Sequence, residues 1–188
     1  MKKSLIALIV IGVVAVLLIG TCVSSYNKMV DMSESVDSKL SDIDTQLQRR
    51  ADLIPNLVNT VKGYTDHENA VLEKITDARK SLLGANTIEE KAEANEQLTT
   101  ALRSLTVIVE NYPELKSSQN FINLQDELAG TENRIATSRK DYNDAVKEYN
   151  SYIKKIPNSI IAGIFNFDEK DYFKAAKGSN EVPEVNFN

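Results

Sequence analysis

From Tyr26 onward an apolar residue recurs at alternating steps of three and four: Met29, Ser33, Val36, Leu40, Ile43, Leu47, Arg50, Ile54, Leu57, Val61, Tyr64, Glu68, Val71, Ile75, Ala78 and Leu82. All of these except Ser33, Arg50 and Glu68 are apolar or Tyr. A strand repeats every two residues, so this spacing demands a helix with one narrow seam, and such a seam is buried only against other helices. The phase survives Pro55, which predicts one long rod kinked there, or two near-collinear helices. Gly84 is the expected end of the rod, because glycine favours the position just past a helix.

A second helix should begin after Thr87. Thr87 and Glu90 have the spacing of a capping box. Ile88, Leu98, Leu102, Leu105, Val109 and Tyr112 carry its stripe, polar Lys91 and Asn95 fall in its first half, and Pro113 stops it. A third helix reads from about Asn120 to Ile156, with Phe121, Leu124, Leu128, Thr131, Ile135, Ser138, Tyr142, Ala145, Tyr149, Tyr152 and Ile156 on one face. The chain has 188 residues with only 7 Gly and 4 Pro, too few for a turn-rich β fold. The fold class that follows is all-α: an elongated antiparallel up-down helical bundle of three long helices, the first kinked or split at Pro55, preceded by one transmembrane helix. Residues 158–188 read as a C-terminal tail along the bundle, with an apolar cluster at Ile160, Ile161, Ile164 and Phe165. A short helix-like piece is expected at Tyr172 and Phe173, and an extended close at Pro183, Val185 and Phe187.

The transmembrane assignment rests on Leu5–Val23, nineteen residues with only Thr21 and Cys22 even mildly polar. As a helix it spans about 28 Å, close to the hydrocarbon thickness of a bilayer. A cleaved signal peptide would have a shorter core, and a lipoprotein would carry a small residue where Thr21 precedes Cys22. An uncleaved single-pass anchor fits better than either. Lys2 and Lys3 precede the span with no acid in residues 1–27, which favours a cytoplasmic N-terminus and an extracytoplasmic body. Beyond residue 27 there are 20 basic and 27 acidic residues, a net charge of −7. That balance excludes an ordinary nucleic-acid binder. The expected segments are a short tail at 1–4, the span at 5–23, the bundle at 26–157 and the tail at 158–188.

One Cys and one His rule out an intrachain disulfide, a Cys cage and a His-rich zinc site. No phosphate-binding loop, dinucleotide turn, nucleophile elbow or metalloprotease motif occurs. His67 stands between Asp66 and Glu68, but consecutive helical residues point in different directions and make a poor metal site. Arg50 sits on the seam itself, where a buried guanidinium needs a carboxylate partner and fixes helix register. The polar stretches Gln48, Arg49, Arg50, Asp52 and Gln125, Asp126, Glu127, Thr131, Glu132, Arg134 are therefore a candidate inter-helix network or interaction site. Asp126, Glu127 and Glu132 are the expected partners of Arg50, with Thr131 bonding across to Arg50 or Gln48. Tyr142, Tyr149 and Tyr152 read as core residues with their hydroxyls at the edge.

The segments QLQRRADLIPNLVNTVKGY (Gln46 to Tyr64), HENAVLEKITDAR (His67 to Arg79), NFINLQDELAGTENRIATSRKDYNDAV (Asn120 to Val146) and YFKA (Tyr172 to Ala175), with the closing Pro183, Val185 and Phe187, resemble the LemA family of bacterial membrane-anchored proteins. The resemblance covers nearly everything after the anchor. It departs in one respect: the family often carries Trp near Asp37 to Leu40, and this chain has none. The resemblance implies one N-terminal transmembrane helix, a helical bundle and no particular reaction. Its associations with membrane proteases and with magnetosome-membrane proteins imply a scaffold or adaptor, and it leaves a cytoplasmic body open as well.

The expected function is thus a LemA-like single-pass membrane protein acting as a non-enzymatic scaffold or adaptor, with no cofactor. The expected partners are the lipid bilayer, membrane or envelope proteins including a membrane protease, and a second copy of the chain. The alternatives are an extracytoplasmic ligand sensor and a carboxylate-based metal-dependent hydrolase using Asp126, Glu127, Glu132 or His67.

Overall fold

The computed structural model describes residues 2–65 and 68–174, with side chains from Leu5 onward. All regular structure among these residues is helical: α1 Lys2–Lys62, α2 Asn69–Gly84, α3 Ile88–Val109, α4 Pro113–Lys116, α5 Gln119–Lys154 and α6 Asn158–Phe165. The expected all-α class is met, but six helices stand where three long ones were expected. Asp66, His67 and the close at Pro183, Val185 and Phe187 lie outside the described residues.

Pro55 lies inside one continuous helix, the first of the two arrangements expected, but the rod ends well before the stop expected at Gly84. α1 continues through Pro55 and ends at Lys62, where the Gly63 N–H reaches the Asn59 and Thr60 carbonyls at 3.3 and 3.2 Å. Proline has no N–H, so the Ala51 carbonyl four residues earlier loses its helical donor. Arg79 on α2 replaces it, with Nε donating to the Ala51 oxygen at 2.8 Å. A neighbouring helix thus satisfies the orphaned carbonyl.

The remaining helix ends follow local chemistry. Thr87 caps α3 through a reciprocal box: its hydroxyl accepts from the Glu90 N–H at 3.1 Å, and Glu90 Oε2 accepts from the Thr87 N–H at 3.0 Å. The backbone donors of Thr87 and Asn86 hold the Glu90 carboxyl below its ordinary pKa. Pro113 does not merely stop α3; it opens the short α4, a position where its missing N–H costs nothing. The apolar cluster after Pro157 is helical as α6. It ends at Asn166 in the left-handed region (φ 58°), with the Phe167 N–H returning to the Ala162 carbonyl at 3.0 Å.

The chain divides into two units, both of which use parts of α1 and α5. One holds the described residues of Leu40–Asp141 and Tyr172–Asn188. Its core is Ile43, Leu47, Ile54, Leu57 and Val61 of α1 with Leu72 and Ile75 of α2, Leu98 and Leu105 of α3, and Leu128 and Ile135 of α5. α2 packs on α3. Lys91 Nζ meets Asp44 Oδ1 at 2.7 Å and Arg50 Nη1 meets Asn95 Oδ1 at 2.5 Å, so α1 and α3 are matched in the same chain order. Arg49 meets Glu127 and Gln46 meets Arg134, in opposite order on α1 and α5.

The other unit holds the described residues of Met1–Lys39 and Tyr142–Asp171. Met29 and Val36 of α1 pack in its core, as do Tyr142, Val146, Tyr149 and Ile153 of α5. The seam expected at Ala145, Tyr152 and Ile156 has drifted: Val146 and Ile153 are buried, while Ile156 is 85% exposed. An ideal helix turns about 20° per heptad away from a strict seven-residue repeat, and five heptads accumulate that error.

Nor are Tyr172 and Phe173 helical. Their neighbours' carbonyls are taken by α5 side chains instead: Tyr142 donates to Asp171 O at 2.8 Å and Arg139 to Lys174 O at 3.4 Å. The Arg139 guanidinium lies 4.6 Å from the Phe173 ring centroid.

Candidate inter-helix polar site and its relatives

The seam position of Arg50 places a guanidinium inside the bundle. The residue is only 3% exposed. Nη1 donates to Asn95 of α3 and forms an ion pair with Glu132 Oε2 of α5, so one side chain from α1 ties two other helices. Arg50 Nε is buried without a hydrogen-bond partner among the described residues. Burial pushes the Arg50 pKa down from its ordinary value, and Glu132, then Glu96, oppose that shift. Arginine stays a cation even so.

The other singled-out residues divide around this centre. Arg49 Nη2 donates to Glu127 Oε2 at 3.0 Å on the surface, and Arg134 Nε donates to Gln46 Oε1 at 3.1 Å. Gln48 bonds Asp52 at 2.8 Å within α1 and does not cross to α5. Thr131 is fully buried, but its hydroxyl donates to Leu128 O of its own helix at 2.7 Å. The expected Thr131 bond to Arg50 or Gln48 is therefore absent among the described residues: a threonine in a helix finds the carbonyl one turn back already within reach. Asp126 is exposed. Gln125 lines a cleft of about 270 Å³ beside Arg50 and Glu132, together with Thr99, Arg103 and Leu57.

Glu127 and Glu132 thus face cations and not each other, which is the wrong arrangement for paired-carboxylate hydrolysis. Among the described residues no group of three His, Cys, Asp or Glu side chains is placed to hold a metal ion.

Sequence reasoning noted Asn95 only as a polar interruption and did not assign it to Arg50. A signal existed, since a polar residue in an otherwise apolar stripe needs a buried partner. It passed over a second set of ties on α5. Tyr149 donates to Asp168 O at 3.0 Å. Asn150, 5% exposed, donates to Lys170 O and accepts from Lys170 N–H, both at 2.9 Å. Burial raises the Tyr142 pKa to about 12, with Asp171 and Asp37 adding to it; Tyr149 is raised for the same leading reason.

α1 carries the feature that joins this site to a membrane. It includes a segment long and apolar enough to cross a bilayer, and none of that window is buried in the protein. The chain is similar to magnetosome protein MamQ 2 of Paramagnetospirillum magneticum, 31% identical across 95% of this chain and 75% of that protein. It resembles magnetosome protein MamQ of Magnetospirillum gryphiswaldense at 28% identity across 96% and 75%. Protein LemA of Metamycoplasma hominis is 23% identical across 80% of this chain and 69% of its own length. The LemA family model matches residues 39–187, which include Arg50, Asn95 and Glu132 of α1, α3 and α5. The chain is a single-pass membrane protein that belongs to the LemA family.

Proposed function

We propose that this protein is a non-enzymatic scaffold or adaptor that holds an up-down helical bundle at a membrane for other membrane or envelope proteins to dock on. One observation carries this reading: α1 supplies the bilayer-length segment and the seam of both units as a single helix, Lys2–Lys62, without an intervening linker. In this reading the segments are the tail 1–4, the span 5–23, the bundle 26–157 and the tail 158–188. Of the expected network of Gln48, Arg49, Arg50, Asp52, Gln125, Asp126, Glu127, Thr131, Glu132 and Arg134, the pairs Arg49–Glu127 and Arg50–Glu132, with Arg134 on Gln46, hold the alignment of α1 with α5. Relatives named for the magnetosome support a place in a larger assembly.

Photo-crosslinkers at exposed Leu83 and Val107 of the full chain in native membranes test the reading. Discrete adducts with a membrane protein, or with a second copy, are expected; a chain that stays uncrosslinked at every exposed position sinks it. The orientation is N-terminus cytoplasmic and body extracytoplasmic, supported by Lys2 and Lys3. Labelling of Asn86→Cys in a Cys22→Ser background from outside intact cells tests that, and protection from the reagent reverses it.

A second reading, the ligand sensor, is favoured by the cleft beside Arg50. Calorimetric titration with small carboxylates, silent for Arg103→Glu, would support it.

A further inference from the structure

α6 presents an exposed apolar surface among the described residues. Its eight residues, Asn158–Phe165, contain no charged side chain. Ile161 and Ala162 face the core, whereas Ile160 is 62% exposed, Ile164 66% and Phe165 47%. Ile160 and Ile164 are four residues apart and so form one ridge on the helix. Ile156, in the turn just before the helix, is exposed as well. These exposures match those of the bilayer-length segment, where Leu8 is 67% and Leu18 66% exposed.

The position of α6 says what covers it. Tyr26 stands three residues beyond Val23, about 4.5 Å along the axis of α1 from the end of the apolar run. The Phe165 ring lies 4.8 Å from the Tyr26 ring, edge-on, and the Phe167 ring 5.5 Å away. The left-handed turn at Asn166 brings Phe167 back beside Phe165 on the same tyrosine. The C-terminal end of α6 is therefore held within one helical turn of the place where α1 leaves the hydrocarbon. Aromatic rings at that level belong to the headgroup belt of a membrane protein.

We infer that α6 is an interfacial membrane anchor, whose Ile160–Ile164 ridge and Phe165 insert into the bilayer beside α1. The inference rests on α1 spanning that bilayer. The end of α6 sits on Tyr26, three residues past the span, so the lipid is at hand on either orientation of the protein. α6 works as a wedge: one face packs on its own unit and the other enters the acyl boundary, which is the geometry of a helix lying in the interface plane.

The chain has no Trp, so single tryptophans report cleanly on depth. The full chain, reconstituted in phosphatidylcholine–phosphatidylglycerol vesicles containing shallow- or deep-brominated lipid, is compared as four variants. Val14→Trp marks the middle of the span. Ser38→Trp, exposed and about 22 Å beyond Val23 on α1, marks water. Ile164→Trp is expected to emit at blue-shifted wavelength and to lose about twofold or more of its intensity to shallow bromines, as an interfacial side chain does. Ile160→Trp repeats the test, and helical circular dichroism confirms that each variant is folded.

Emission and quenching of both α6 variants at the level of Ser38→Trp overturn the inference while Val14→Trp still reports the span. A blue shift without bromine quenching, accompanied by a doubled particle mass, overturns it in favour of a second copy as the covering partner. An unquenched Val14→Trp overturns the span itself and this inference with it.

Discussion

The Arg50 site and the tail clamp on α5 solve one problem with opposite chemistry. Both tie helices to something distant in sequence. At Arg50 a buried cation is held by one ion pair and one amide, with a guanidinium nitrogen left over. At Tyr149, Asn150 and Tyr142 neutral groups meet backbone carbonyls, and Asn150 closes a reciprocal pair with Lys170. The charged tie is strong only while every partner is present, because a buried charge that loses its counter-ion has no water to turn to. The neutral ties are individually smaller and more numerous. A bundle that uses both gains register from the first and grip on its tail from the second.

The largest break in this comparison is expected at the charged tie. Arg50→Ala should lower unfolding free energy by about 3–4 kcal/mol, since it leaves buried Asn95 unpaired and opens a cavity in the seam. Urea titration of the solubilised full chain measures it. If the position is valued for register rather than energy, Arg50→Met with Asn95→Leu and Glu132→Leu recovers most of that loss.

Next comes the clamp. Asn150→Ala removes a donor and an acceptor together, so about 2 kcal/mol is expected. Residues 168–174 should also become protease-sensitive while α1 to α3 stay protected. Intact protection of that segment would show that the clamp does not hold it.

Arg79→Met is a third probe, because it strands the Ala51 carbonyl that Pro55 leaves free. A cost of about 1–2 kcal/mol is expected. It should shrink to the bare packing loss when Pro55→Ala restores the helical donor, and a double-mutant cycle reads this coupling.

The two chemistries also separate by pH. Tyr142 titrates near pH 10 when unfolded and at about 12 when folded. Its contribution is complete below pH 10 and is lost as pH rises from there through about 12. Tyr142→Phe should cost about 1 kcal/mol at neutral pH and flatten the alkaline limb of the stability curve, while Arg50 variants leave that limb's shape unchanged.

The smallest effect is expected at Arg49. The Arg49–Glu127 pair is about half exposed on both sides. Arg49→Ala should change stability by less than about 0.5 kcal/mol, and salt should abolish the difference.

Much of this was legible from residue spacing. The seam from Met29 to Val61, the Thr87–Glu90 box and the extent of α5 follow from local rules that act within a few residues. Arg50 stood out as a charge where an apolar residue belongs. What escaped depends on contacts between distant segments. Pro55 removes a helical donor, and the group that replaces it, Arg79, comes from α2. Gly63 then ends the rod that the heptad count had carried on to Leu82. Tyr172 and Phe173 have local helical character, but α5 side chains take the carbonyls there. Likewise Thr131 lies on the correct face, yet its hydroxyl turns to its own backbone.

The continuity of α1 has an evolutionary consequence for length. One residue inserted between Val23 and Met29 would rotate the apolar span by about 100° against the seam and move Tyr26 off its contact with Phe165 and Phe167. Seven residues would leave the facing almost unchanged, about 20° off, while lifting the body by roughly 10 Å. Phase and size are therefore constrained together at this junction: one codon breaks the facing, and seven keep the facing but carry α6 off the bilayer.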